Sequence, residues 1–325
     1  MSYRIPLPAG GARPTLDVID PFSSMVQRFL RREGLAAYEP ETAATLLALF
    51  DQHDGPFTLY DVGANIGLYS HLCAAMFDDA TVHAFEPTPD VAEIARSIAR
   101  ANSLPVEVFE AAVSDSPGTA TLFLSETSDA SNSLVDGFKT SIGEIDVQRI
   151  TLDEHWATTG VAPAVLKIDV ETHEPEVLAG AMEMIAATRP YVVIEVLRRR
   201  KTDQGPIIQA AFEGLGYSFY PLSATTDWQP AASITGSGTV ERDWLLAPEP
   251  LPADFAERWT IWSQRLTACT RDRNSRPPIG GAARAAYRRG GVRELRTSGQ
   301  RFVDDVVRPG LRRRWSSLRN RLRRS

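Results

Sequence analysis

Residues 60–70 read Y-D-V-G-A-N-I-G-L-Y-S, directly after the apolar run Phe57-Thr58-Leu59. Gly63 and Gly67 permit tight backbone geometry and close ligand approach, and the helix expected after them offers unpaired N–H groups. Nineteen residues beyond Gly67 stands Glu86, at the end of the next strand-like run. A carboxylate there can accept both hydroxyls of a ribose, so the set points to an adenosine-containing cofactor. A dinucleotide fingerprint wants three glycines, G-x-G-x-x-G; laid from Gly63 this chain supplies Gly63, Asn65 and Leu68, and the last two positions fail. Asp61 is awkward beside a pyrophosphate and suits a positive amino group. S-adenosylmethionine has that ammonium, a ribose and no phosphate. The competing reading is an ordinary strand–turn–helix with an exposed glutamate.

A second constellation is K-I-D-V-E-T-H-E, residues 167–174. Asp169, Glu171 and His173 alternate, so an extended chain sets all three on one face, beside the methyl donor. An alcohol is a poor nucleophile until a positioned base takes its proton. His173 is the natural candidate because it is near its useful protonation range at neutral pH. Asp169 or Glu171 would orient it, or one of them is the base. Such a cluster could instead hold a divalent cation that acidifies the hydroxyl, although no metal is expected here. In the plainest reading, Glu171 and His173 only cap the next helix. Lys167 is expected to face elsewhere. Cys73, within LYSHLCAAMF, reads as a small buried apolar residue. His53, His71, His83 and His155 stand alone, without ligand spacing, and read as structural or surface groups.

The elements that must position these groups alternate in type. TLYDV (58–62) precedes a helix at 68–77, and TVHAF (81–85) precedes a helix with Thr88 as N-cap and Pro89 at its first position. VEVFEAAV (106–113) reads as the third strand. ATLFL and DVQRITL read as β additions around a polar loop. AVLKIDV (164–170), a helix around 175–185, YVVIEV (191–196), a helix at 207–215, YSFYPL and WLLA follow. This order predicts an α/β fold: a doubly wound, mainly parallel, Rossmann-like sheet, with ligands at the carboxyl ends of the strands. The Pro/Gly-rich first 20 residues are expected to be loosely ordered, and two short helices between residues 21 and 51 to form an N-terminal cap. The expected division is 1–52 for that segment and cap, 53–250 for the cofactor-binding domain, and 251–325 for a C-terminal helix and tail.

DVGANIGLYS, FEP (85–87), AAVSD (111–115), TLDE (151–154), LKIDVETHEPEVLAGA (166–181) and the YVVIEV strand together resemble the FkbM family of S-adenosylmethionine-dependent methyltransferases. The resemblance covers about residues 57–197. It implies a class I methyltransferase fold and methyl transfer, usually to a hydroxyl of a sugar, a glycolipid or polysaccharide, or a polyketide-like metabolite. It also implies that Asp61, Gly63, Asn65 and Gly67 surround the methionine part, that Glu86 holds the ribose, and that the backbone near Ala112 faces adenine. Where the family has glycine after the KIDVE run, this chain has Thr172, a β-branched residue that restricts the turn or reshapes the acceptor pocket.

Bulk properties narrow the remaining classes. The 325 residues are 43% hydrophobic and 23% charged, ordinary for a globular chain. Two distant cysteines argue against a disulfide framework or a zinc site and suit a reducing cytoplasm. No h-region and no spanning segment is seen. From Arg271 onward there are 17 arginines against four acidic residues, whereas residues 1–270 carry 18 Lys plus Arg against 37 acids. Leu311, Trp315, Leu318 and Leu322 fall on one helical stripe among those arginines, a pattern suited to an anionic membrane surface. The expectation is a cytoplasmic enzyme, peripheral at the inner membrane face, acting on a small-molecule or glycan acceptor, with nucleic acid disfavoured as a partner. The rivals are a nicotinamide-dependent oxidoreductase or epimerase, and a non-catalytic binding protein on the same fold. The failed glycine spacing counts against the first.

Overall fold

The computed structural model describes residues 2–19, 24–125, 132–135, 140–199, 202–223, 227–236 and 242–270. The chain divides into two compact units, 1–275 and 276–325, and every described residue lies in the first. The Arg-rich stripe of residues 311–325 is therefore outside the described residues. No helix among the described residues is long and apolar enough to cross a membrane.

Residues 2–19 are not loose. β1 (Ser2–Pro6) and β2 (Thr15–Ile19) pair as an antiparallel hairpin whose Ile5, Leu16 and Val18 are buried. Alternation at these positions outweighs the Pro/Gly content between them. Ser24 then caps α1 (Met25–Glu33) in a reciprocal box with Gln27, and α2 (Pro40–Phe50) follows a short 3-10 turn.

The doubly wound body begins with β3 (Phe57–Val62), α3 (Leu68–Met76), β4 (Ala80–Phe85), α4 (Pro89–Asn102) and β5 (Val106–Phe109). The expected third strand splits after Phe109. Its end, β6 (Ala112–Val113), joins β7 (Gly118–Ser125) and β8 (Ser141–Ile150) in a separate three-stranded sheet. After α5 (Leu152–Thr159) comes β9 (Val165–Ile168). The single helix expected next breaks near Gly180 into α6 (Glu174–Ala179) and α7 (Met182–Thr188). A Cβ at Gly180 would lie 2.1 Å from the Ser114 carbonyl oxygen, so only glycine lets this break pack there. β10 (Tyr191–Glu195), the two-residue strands β11 (Arg198–Arg199) and β12 (Thr202–Asp203), α8 (Gly205–Ala211), β13 (Ser218–Pro221), β14 (Asp243–Ala247) and α9 (Phe255–Thr267) complete the order.

The central sheet has seven strands in the order β13-β14-β10-β9-β3-β4-β5. β14 is antiparallel to both its neighbours; the other strands run parallel. Helices cover both faces. Leu46, Leu49, Leu72, Val91 and Trp262 from α2, α3, α4 and α9 pack with Leu59, Val165, Val193 and Leu245 of the sheet. Val177, Met184, Ile185 and Ile208 from α6, α7 and α8 pack with Tyr60, Leu166, Ile194 and Leu246 on the opposite side. Burial on both faces explains why these strands read as unbroken apolar runs.

Candidate active site

The glycine loop leaves the carboxyl end of β3. The backbone N–H groups of Gly63 and Ala64 both donate to the Phe85 carbonyl, 3.0 Å each, which folds the loop over the end of β4. Gly63, Asn65 and Gly67 all take positive φ, +77°, +52° and +75°. At Gly63 the requirement is double, because a Cβ would lie 1.8 Å from the Asp169 carbonyl oxygen. The loop after β3 and the turn after β9 are thus in direct backbone contact. Glu86 stands on the next strand end. Its Oε2 accepts from Asn65 N–H at 3.0 Å and its Oε1 from Thr88 N–H at 2.8 Å. The carboxylate is thereby fixed against the glycine loop. A carboxylate is an acceptor of the type that ribose hydroxyls pair with. Ala112 is buried in β6, packed with Leu122 and Val147.

Asp61 is fully buried. Its Oδ2 accepts from the Ser70 hydroxyl at 2.6 Å and the Ser70 N–H at 3.1 Å, while Oδ1 has no hydrogen-bond partner. Burial raises its pKa, against the pull of Lys167. Register places Asp61 of β3 opposite Lys167 of β9, which is itself opposite Val193 of β10. Lys167 does not face elsewhere, as its sequence position had suggested. It lies 4% exposed with Nζ 3.2 Å from Asp169 Oδ2 and 5.0 Å from the centre of the Tyr69 ring. Burial works against its charge, yet the carboxylates of Asp169, Asp61, Glu39 and Asp243 outweigh it and hold its pKa above the usual lysine range.

The alternation expected at 169–173 fails. β9 ends at Ile168, and Glu171 and Thr172 adopt φ of +54° and +80°. The chain therefore turns sharply instead of presenting three side chains on one face. Thr172 is fully buried in this left-handed conformation, which a β-branched residue rarely adopts, so the glycine of the FkbM pattern has a backbone reason. The Glu174 carboxylate holds the turn, its Oε1 accepting from the N–H groups of Val170 and Thr172. His173 occupies the N-cap position of α6, with Nε2 3.0 Å from Ser114 Oγ and Nδ1 3.5 Å from Glu176 Oε2. The Glu171 carbonyl accepts from Ser133 Oγ. Asp169 alone of the three is seen turned back to the Lys167 ammonium, with its side chain 30% exposed.

Further polar groups complete this row, and none was singled out in the sequence. Glu195 ends β10 and pairs across the strands with Asp243 of β14. Arg242 Nη1 lies 2.9 Å from Glu195 Oε1 and its Nη2 3.8 Å from Glu39 Oε1. Tyr69 donates to Glu39 and Thr42 donates to Asp243. Burial, with Asp243 and Asp169 nearby, pushes Glu39 up to about 7. One signal was available: a lysine or glutamate inside the apolar runs AVLKIDV and YVVIEV is expected to be buried only when paired.

On the sheet's other side, His83 and His155 do not stand alone. Their ring nitrogens approach to 2.9 Å within a cage of Tyr60, Phe85 and Phe109. Cys73 is fully buried. Among the described residues, no group of three or more His, Cys, Asp or Glu is arranged to hold a metal ion.

A seven-stranded, mainly parallel sheet with one antiparallel strand next to its edge, and a glycine loop and a glutamate on adjacent strand ends, defines a class I S-adenosylmethionine-dependent methyltransferase fold. Residues 61–219 match the methyltransferase FkbM domain. It is 29% identical over 150 residues to the hexuronic acid methyltransferase AglP of Haloferax volcanii, a match covering 46% of this chain and 59% of that protein. The chain thus spans less than two thirds of this relative's length. A solved methyltransferase FkbM from Methylobacillus flagellatus is 14% identical, with 59% of this chain and 43% of that one covered and a TM-score of 0.39. An S-adenosylmethionine-dependent methyltransferase from Agrobacterium tumefaciens is 9% identical, covering 76% and 70%, with a TM-score of 0.40.

The cofactor is S-adenosylmethionine. The residues present suit it. The row holds more carboxylates than cations, Asp61 keeps a buried oxygen without a partner, and no phosphate-sized run of small residues replaces Asn65 and Leu68. A ligand carrying positive charge offsets that imbalance, whereas a pyrophosphate worsens it.

Proposed function

We propose that this methyltransferase transfers its methyl group to a hydroxyl oxygen of a sugar or glycan acceptor. The observation that carries the reading is the continuous polar row at the carboxyl edge: the donor-side residues Asp61 and Glu86 adjoin Asp169 through the Gly63–Asp169 backbone contact. In this reading Asp61, Gly63, Asn65 and Gly67 hold the methionine end of the donor, Glu86 the ribose and the Ala112 backbone the base. When bound, the donor supplies an activated methyl carbon on a sulfonium sulfur. Asp169, held by Lys167, orients the acceptor hydroxyl. Glu171 and His173 shape the turn that carries Asp169, with His173 anchored by Ser114 and Glu176.

The sugar assignment is supported by the Haloferax relative, a hexuronic acid methyltransferase. The test is mass spectrometry of carbohydrate fractions from cells with and without the gene, combined with calorimetry of the purified protein. The expected result is a methyl ether lost from one glycan species, and binding of S-adenosylmethionine but not NAD. Loss of a methyl group from protein or nucleic acid instead, or tight NAD binding, overturns the reading.

A further inference from the structure

Glu195 has no role in the cofactor cradle, yet its setting is unlike that of a structural carboxylate. It ends β10, two residues past Val193, which is in register with Lys167; that puts Glu195 on the same face as Asp61, Lys167 and Val193, level with Asp169. The residue is 4% exposed. One oxygen, Oε1, is fixed by Arg242 at 2.9 Å, and the other, Oε2, has no hydrogen-bond partner. A buried carboxylate oxygen without a donor is costly, and a ligand donor is a ready way to satisfy it. The charged groups around it are Arg242 and Asp243 on the β14 side, Asp169, Glu171 and Lys167 on the β9 side, and Glu39 on α2.

We propose that Glu195 is the proton acceptor for the acceptor hydroxyl, with Oε2 taking the proton while Arg242 holds Oε1 in place. This rests on the hydroxyl-methylation reading above. As the hydroxyl proton moves to Oε2, the oxygen's electron pair bonds the methyl carbon. The methyl–sulfur bond breaks with its pair remaining on sulfur, and Glu195 later releases the proton to water. The surroundings suit the task. Burial, then the neighbouring Asp169, raise the pKa of Glu195 well above the ordinary carboxylate range, against the pull of Arg242. That gives it the proton affinity a general base needs near neutral pH. Asp169, more exposed and tied to Lys167, then orients the hydroxyl and does not itself need to take the proton.

The test uses full-length protein, tritiated-methyl S-adenosylmethionine, and carbohydrate extract from cells lacking the gene. Glu195→Gln should incorporate label about a hundredfold more slowly, or worse, while its affinity for S-adenosylmethionine by calorimetry stays within about twofold of wild type. The acidic limb of the wild-type rate–pH profile should vanish in the variant. Arg242→Met provides a second readout, since removing the cation that favours the charged form should move that limb to higher pH. Infrared titration gives a third: a protonated-carboxyl band that disappears as pH rises through the same limb should be absent in Glu195→Gln. Wild-type incorporation with an unaltered rate and limb in Glu195→Gln, or an unmoved limb in Arg242→Met, overturns the proposal. An equal loss of cofactor affinity in Glu195→Gln would make the residue structural. No incorporation by wild-type protein that binds S-adenosylmethionine sinks the glycan reading itself, and this inference with it.

Discussion

The two faces of the central sheet are built from the same strands and differ in how those strands end. Toward α5, α6, α7 and α8, the residues Tyr60, Val62, Leu166, Ile168, Val192 and Ile194 keep the face apolar to its carboxyl edge. Toward α2, α3 and α9, the face is apolar through Leu59, Val165, Val193 and Leu245, then turns charged at Asp61, Lys167, Glu195 and Asp243. Side chains alternate along a strand, so one set of backbones serves two purposes. The difference teaches where chemistry was paid for in stability: buried charges cost free energy unless paired, and they are concentrated on one face at one edge.

The comparison breaks most readily at the joint between donor loop and strand turn. Gly63→Ala places a methyl group 1.8 Å from the Asp169 carbonyl oxygen at a φ of +77°, so the polar edge should distort while the apolar face keeps its packing. We expect a stability loss of about 3 kcal/mol and no measurable cofactor binding, checked by urea unfolding and calorimetry. Near-normal binding would show that the two strand ends are not coupled. A smaller effect is expected from Asp169→Asn: turnover about a hundredfold lower, roughly 2.7 kcal/mol, with cofactor affinity little changed. Glu86→Ala should weaken S-adenosylmethionine binding by about 1–3 kcal/mol, the range for hydrogen bonds to a charged group, and unchanged calorimetry would remove Glu86 from the cradle.

His173→Ala sharpens the contrast within the turn. It should cost about 1 kcal/mol of stability and lower turnover less than Asp169→Asn does, since its ring nitrogens are engaged by Ser114 and Glu176. A turnover loss equal to that of Asp169→Asn would place His173 beside Asp169 among the groups that act on the acceptor. The smallest effect belongs to the apolar face. Burial, then the adjacent His83, lowers His155 to about 4, and burial also lowers His83. The unfolded chain therefore binds more protons between those values and the ordinary histidine value near 6.5. Stability from the pair is complete above about 6.5 and drains as pH falls toward 4. Urea midpoints at pH 7 and pH 5 should differ less in His155→Phe than in wild type; an unchanged difference assigns the acid sensitivity to other groups.

The glycine loop, Glu86 and the βαβ order were legible because they are local: short spacings and apolar runs encode them. What was missed is long-range or backbone-specific. Alternation over Asp169, Glu171 and His173 assumed an extended chain, and nothing in the residue types announced the two left-handed residues there. Thr172, where the FkbM pattern has glycine, was the nearest warning. Lys167 and Glu195 lie in apolar runs; Lys167 meets Asp61 only across the sheet, and Glu195 and Asp243 meet Arg242 and Thr42 from distant parts of the chain. Periodicity reports that a position is buried, but not which charge it will meet. The same limit hid the His83–His155 contact, 72 residues apart.

The helix α9 carries a consequence for how the molecule comes to exist. Trp259 Nε1 donates to Thr45 Oγ1 and Trp262 Nε1 to Asp51 Oδ2, while Thr42, on the same early helix, donates to Asp243. α2 is synthesised well before the elements that cover it, Thr42 and Asp243 being 201 residues apart. Its Ala- and Leu-rich surface must wait for those partners, a long-range closure that slows folding and exposes apolar surface meanwhile. The charged edge inherits that delay, because Glu39 and Asp243 meet only when α2 and β14 do. A nascent chain released before residue 255 should therefore bind chaperones yet no cofactor. Cofactor binding then waits for α9 to be made.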